Sequence, residues 1–179
     1  MSSTIRVGAA LLGWLVMPVV YAQSGPVQIR VELKTDKEYK YKSDELTRRR
    51  AIRQLEVIVK NLGAKPLERA VVKYYLFARD VDLDLIDAVG MGEETVDIGA
   101  MRATTVRSKP VSVTHRVQDD AGGKFVGHAV QVFQGETVIG ALYEPKDMQV
   151  KFDKAIADAP NSVSRWEAVE KKLWKGKKK

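Results

Sequence analysis

Two histidines are the residues of this sequence whose chemistry best suits proton transfer or metal binding. His115 and His128 each fall in a β-type stretch, and neither has a cysteine or a second histidine close by in the sequence. A catalytic or metal centre needs a cluster of such groups. We therefore expect two sandwich residues half exposed to solvent.

A run of alternating acids, Asp80-Val81-Asp82-Leu83-Asp84, has the spacing of a calcium loop. A helix–loop–helix calcium loop has Gly at its sixth position and Glu at its twelfth. Counted from Asp80, those positions hold Leu85 and Met91. The run is better interpreted as the end of a strand with its acids in water. Because phosphate-binding, serine-hydrolase and zinc-protease motifs are also missing, we predict a non-catalytic protein without a metal or cofactor.

Three aromatic residues on one β-type stretch, Tyr74, Tyr75 and Phe77, are candidates for binding a sugar ring. Aromatic side chains on strands more often fill a core or form cross-strand pairs. They remain candidate ligand-binding residues, with the ligand unknown.

Basic residues near both ends of the domain could contact an anionic surface such as phospholipid or lipopolysaccharide; they are Arg48, Arg49, Arg50, Lys171, Lys172 and Lys175. The alternative is a solvated tail. Nucleic acid is a poor fit because the interleaved aromatic residues of a single-strand binder are missing.

The C-terminal stretch 160–179 has the pattern of a basic amphipathic helix. Trp166, Val169 and Leu173 recur at helical spacing on one face, and Ser164 with Glu167 resembles a capping box. This face could pack on its own domain, on a protein partner or on a membrane. We predict that these three residues bind a partner.

The N-terminus has the composition of a secretory signal peptide over residues 1–22. Arg6 precedes an apolar stretch that is too short to span a bilayer, and Val20-Tyr21-Ala22 suits a signal peptidase. We therefore predict an exported protein, located in the periplasm or outside the cell. The chain has no cysteine and a net charge of +7, so its stability cannot come from disulfides.

Alternation of apolar and polar residues with a period of two predicts about seven strands between residues 26 and 153. The pattern is clear at Val27–Leu33, Leu55–Val59 and Val71–Ala78, while Gln134-Gly135-Glu136 indicates a hairpin turn. Lys34 to Arg50 is dense in charge and predicts a solvated connection. The fold class is therefore an all-β, immunoglobulin-like or fibronectin-III-like antiparallel sandwich with a C-terminal basic helix.

The stretch Leu55–Gly63, followed by Leu67 and Val71–Tyr75, resembles small exported bacterial domains of immunoglobulin-like fold. Val130–Gly135, with Val138 and Leu142, is similar as well, so the resemblance covers about residues 27–150. Some proteins of this kind occur alongside type IV pilus machinery and self-associate. The resemblance implies a structural likeness and carries over no catalytic residue.

The predicted function is an exported, non-catalytic interaction or assembly domain of the bacterial cell envelope. The resemblance adds pilus association and self-association as expectations, through a protein partner or a homo-oligomer. The alternative is a module that binds a glycan or another envelope polymer.

Overall fold

Nine strands and two helices make up the part of the chain that the computed structural model describes, residues 20–42, 47–116 and 121–175. Side chains are described within 25–35, 49–116 and 122–171. The elements are β1 Val20–Ser24, β2 Val27–Lys42, β3 Thr47–Asn61, β4 Leu67–Asp80, β5 Leu85–Ile98, β6 Ala103–Arg107, β7 Val111–Arg116, β8 Ala121–Gln134, β9 Thr137–Glu144, a 3-10 turn Lys146–Met148, α1 Gln149–Ala157 and α2 Ala159–Lys175. Most of the predicted signal peptide, residues 1–19, lies outside the described residues, and its last three residues are part of β1.

Every strand pairing is antiparallel, and the strands follow the order β1-β2-β3-β7-β8-β4-β5, with β6 on β3 and β9 on β8. Ala121 and Gly122 at the start of β8 pair with β7, whereas the rest of the strand pairs with β4 and β9. Strand β8 therefore joins a first half-sheet (β1, β2, β3, β6, β7) to a second (β4, β5, β8, β9). The prediction of a mostly antiparallel β-protein is confirmed, while the immunoglobulin-like topology stays a prediction.

The main core lies between the two half-sheets and is built by the predicted alternation. Val27, Ile29 and Val31 of β2 are buried, as are Val72 and Leu76 of β4. Matching residues from β3, β8 and β9 belong to the same cluster. Burial of aliphatic side chains at every second position is what a period of two implies, because alternate residues point to the same face.

A second apolar cluster forms on the outer face of the second half-sheet, where α1 covers β4. The rings of Phe77 and Phe152 stack with their centroids 4.1 Å apart. Gly127 permits this approach, since an added Cβ would lie 2.7 Å from the Phe152 ring. Strand β4 is therefore buried on both faces. Helix α1 was not predicted, and the domain boundary at residue 153 divides it.

Helix α2 packs on its own domain through a stripe that repeats every three or four residues. Ser162 donates a hydrogen bond to the carbonyl of Ala88 at 3.0 Å, and Trp166 belongs to the main core. The predicted helix is present, but the predicted capping box is wrong. The helix already begins at Ala159, and the Ser164 hydroxyl donates to the Pro160 carbonyl within it.

The expectation of a solvated connection over Lys34–Arg50 is also wrong. Strands β2 and β3 continue as a long hairpin whose register runs as far as Lys42 opposite Thr47. Charged residues are compatible with these strands because they pair across the sheet. Glu56 accepts hydrogen bonds from Lys34 and Arg107, and these cations hold the pKa of Glu56 below its usual range.

We predict that Phe152→Ala lowers the free energy of unfolding by about 3 to 5 kcal/mol, because it empties a site between α1 and β4. Val150→Ala, on the exposed side of the same helix, is the matched control and should change stability far less. Urea denaturation followed by circular dichroism measures both. Equal effects of the two substitutions would show that α1 does not pack as described.

Candidate functional site

A pocket of about 430 Å³ lies where α2 crosses the gap between β5 and β7. Its floor and walls are mostly apolar, and its charged residues come from β3, from α2 and from the connection between β6 and β7. The lining residues are Arg50, Tyr74, Leu76, Val89, Gly90, Met91, Ser108, Lys109, Pro110, Val111, Ser112, Val163, Trp166, Glu167, Glu170 and Lys171. Pockets of this size are typical of sites for small molecules.

Two glycines of β5 pair with the pocket-lining residues Leu76 and Tyr74, and one of them, Gly90, lines the pocket itself. A Cβ on Gly90 would lie 2.4 Å from a methyl of Val111, and one on Gly92 would lie 2.2 Å from the Tyr74 hydroxyl. Neither glycine was predicted to lie in a strand. In the structure they let neighbouring side chains approach the strand backbone at the edge of the pocket.

A buried carboxylate, Glu170, ties α2 to β7 at one side of the pocket. Its oxygens accept hydrogen bonds from the Thr114 amide at 2.6 Å and from the Thr114 hydroxyl at 2.9 Å. The guanidinium of Arg50 lies 3.8 Å from the same carboxylate and donates to the Ser112 hydroxyl at 2.8 Å. The carboxylate is therefore satisfied by polar partners, as a buried charge must be.

The far end of the β2–β3 hairpin, with the neighbouring part of β7, forms a basic tip. Cross-strand register places Lys40 opposite Arg49, and Arg48 opposite Arg116. The basic tip is defined by Lys40, Lys42, Arg48, Arg49, Arg50 and Arg116. Arg50 contacts Glu170 and Ser112, and strand register places the rest of the basic tip.

The three candidate aromatic residues of β4 are buried and do not form one surface. Tyr74 is 9% exposed and belongs to the main core, whereas Tyr75 and Phe77, at 8% and 0%, lie beneath α1 on the opposite face. Only Tyr74 lines the pocket. The structure therefore gives no support to a flat carbohydrate platform on this strand.

The helix residues predicted to bind a partner have different environments. Trp166 is buried in its own domain, and its indole nitrogen donates to Asp87 at 3.2 Å. Val169 is partly exposed, and the side chain of Leu173 lies outside the described residues. Packing on the same domain therefore accounts for Trp166, and partner contact by Val169 and Leu173 stays a prediction.

Two of the predicted anion-contacting groups come together in space. Arg50 from β3 and Lys171 from α2 line the same pocket, although they are distant in sequence. Arg49 is exposed next to them in β3. The side chains of Arg48, Lys172 and Lys175 lie outside those that the structure describes. Glu170 was missed, although its position four residues after Trp166 places it on the same helix face.

The alternating acids form the turn between β4 and β5, as expected of a strand end. Asp80 accepts hydrogen bonds from the amides of Asp82 and Leu83, and Asp82 accepts one from the amide of Gly122. Among the described residues, no three histidine, cysteine or acidic side chains are grouped so that they could hold a metal ion.

His128 is buried, which corrects the expectation that it would be half exposed. It lies in β8 opposite Leu76 and Glu144. Burial lowers its pKa from the ordinary 6.5 to about 4, because the charged imidazolium loses its hydration.

We predict that stability decreases as the pH falls from about 6.5 towards 4, because the unfolded chain protonates His128 in this range and the folded chain does not. The contribution is up to about 3 kcal/mol in the free energy of unfolding. Urea titrations over this pH range should show a shallower decrease for His128→Leu. The control Val150→Ala, which changes no titratable group, should retain the wild-type slope. The same slope in all three proteins would contradict the assignment.

Comparison with known proteins yields structural likenesses only. No protein-family model matches the sequence, and no curated protein matches it. Similar solved structures include a β-glucuronidase from glycoside hydrolase family 2, with 13% identity over 60% of this chain and 10% of that chain at a TM-score of 0.35. A Northeast Structural Genomics Consortium target has 14% identity over 68% and 88% of the two chains at a TM-score of 0.33.

A DUF1425 family member from Shewanella sp. pv-4 has 10% identity over 66% of this chain and 91% of that chain, at a TM-score of 0.25. This chain therefore corresponds to a small part of the glucuronidase but to most of the other two proteins. At these scores the likenesses assign no function. Within the described residues, no helix has the length and apolar character needed to cross a membrane.

Proposed function

We propose that this chain is an exported, non-catalytic interaction domain of the bacterial cell envelope that contacts an anionic membrane surface through its basic tip. The observation that carries this proposal is the register that pairs Lys40 with Arg49 and Arg48 with Arg116. This register brings basic residues together on neighbouring strands, and phosphate groups on a partner would complement their charge. Within the paired stretches Glu38–Lys42, Thr47–Ala51 and Thr114–Arg116, the only acid is Glu38.

The chemistry of the tip favours phosphate over neutral partners. Arginine presents a planar fork of donors that matches a phosphate group, and each basic residue near an anionic lipid surface contributes about 1 kcal/mol of attraction. Arg49 is exposed, as such a contact requires. The basic residues of α2 extend the positive charge, since Lys171 lines the same pocket as Arg50.

Self-association and the pilus link are further parts of this proposal. Strand β5 is the last in the strand order, and its exposed residues Glu93 and Glu94 have a charge opposite to that of the basic tip. A second copy could therefore bind head to tail. The alternative, a glycan-binding module, was based on an aromatic surface on β4. That surface is not available to a glycan, because Tyr75 and Phe77 are buried.

We predict that the double substitution Arg48→Gln and Arg49→Gln weakens binding to vesicles containing phosphatidylglycerol by about 30-fold, which corresponds to two lost basic contacts. Vesicle co-sedimentation at low and high salt measures the affinity, and pure phosphatidylcholine vesicles provide the neutral reference.

The matched control is Lys60→Gln with Lys65→Gln, which changes the net charge equally at two exposed positions away from the tip. Its binding should change much less. An equal loss in both double variants would mean that overall charge, not the tip, attracts the membrane. Absence of binding to anionic vesicles at low salt would reject the proposal.

A further inference from the structure

We propose that the pocket between α2, β5 and β7 is a binding site for a small amphipathic carboxylate, a molecule with an apolar body and one negative charge. The pocket shares Arg50 and Lys171 with the charged surface of the membrane contact proposed above, but the proposal does not depend on that contact. Three features of the lining support it: apolar walls, an available hydroxyl and an excess of positive charge at the mouth.

The walls of the pocket suit an apolar body. Leu76 and Val89 of the main core reach the pocket from the second half-sheet, and Val111 reaches it from β7. Val163 and Trp166 face it from α2. An aliphatic or aromatic group that enters would remove its own surface and that of these side chains from water, which is favourable.

The Tyr74 hydroxyl is the uncommitted polar group within these walls. Among the described residues it has no hydrogen-bond partner, whereas the Ser108 hydroxyl already bonds to the backbone of Leu55 and Lys109. Burial, with a smaller effect from Glu94, raises the pKa of Tyr74. The hydroxyl is therefore protonated at neutral pH and can donate a hydrogen bond to an oxygen of a ligand.

The mouth of the pocket has an excess of positive charge. Lys109 and Lys171 are exposed lining residues, and neither forms an ion pair within the described part of the chain. Glu167 is also an exposed lining residue, and its negative charge offsets the positive charge of one of the two lysines. The second acid, Glu170, is held by Thr114 and Arg50. A ligand with a single anionic group would complement this excess of positive charge.

A matched set of probes separates charge from hydrophobicity: octanoate, 1-octanol and octylammonium have the same apolar chain and differ in the head group. Isothermal titration calorimetry with the full chain should give the tightest binding for octanoate and the weakest for octylammonium. No detectable binding of octanoate, or equal binding of octanoate and octylammonium, would overturn the proposal.

Substitutions then assign the contacts. Replacing both lysines, Lys109→Gln with Lys171→Gln, should weaken octanoate binding about fivefold and leave 1-octanol unchanged. Glu167→Gln should strengthen octanoate binding about twofold, and Tyr74→Phe should weaken it about fivefold. The control pair Lys60→Gln with Lys65→Gln should have no effect. Octanoate binding that none of the pocket substitutions alters would place the ligand elsewhere and overturn the proposal.

Discussion

The structure depends on closing the gap between β5 and β7, and helix α2 closes it. Among the described residues, strand β7 pairs with β8 at His115 and Arg116 only, so its preceding residues need other partners on that side. The Glu170 carboxylate is one such partner, because it accepts a hydrogen bond from the Thr114 amide. Trp166 of the same helix packs in the main core. A buried amide without an acceptor is costly. The helix is thus an integral part of the domain, and its docking also forms one wall of the pocket.

The same closure explains why the basic tip and the C-terminal charges are neighbours. Docking of α2 brings Lys171 to the pocket that Arg50 lines from β3. The tip continues beyond this point, where the β2–β3 hairpin extends past the apolar core residues Val31 and Leu55. Strand pairing of β2 with β3 and of β3 with β7 continues along that extension, and exposed strand residues such as Arg49 can carry charges that a core would exclude.

Patterns with a short period predicted much of the fold. Val27–Leu33 and Val71–Ala78 are strands because alternation puts every second side chain in the core, and Pro110 separates β6 from β7 as expected of a residue that cannot donate to a ladder. The hairpin turn at Gln134-Gly135-Glu136 and the C-terminal helix were predicted for similar local reasons.

The rest depended on contacts between distant residues. The charged end of β2 forms a strand because it pairs with β3, and its own composition favours a solvated segment. From the sequence, Gly90 and Gly92 resemble loop residues. The structure explains them as strand residues that Val111 and Tyr74 approach closely. The sequence was sufficient to predict that Arg50 and Lys171 contact an anion. It was not sufficient to predict the pocket, because the pocket depends on where α2 packs.

Amide hydrogen exchange of the full chain followed by mass spectrometry tests most directly whether α2 is integral to the domain. We expect the amides of Ser162–Glu170 and of Thr114 to exchange together with the core strands, in one cooperative unfolding event. If α2 and Thr114 exchanged rapidly while β4 and β8 remained protected, the helix would be a separable tail. That result would contradict both the closure of the gap and the pocket that depends on it.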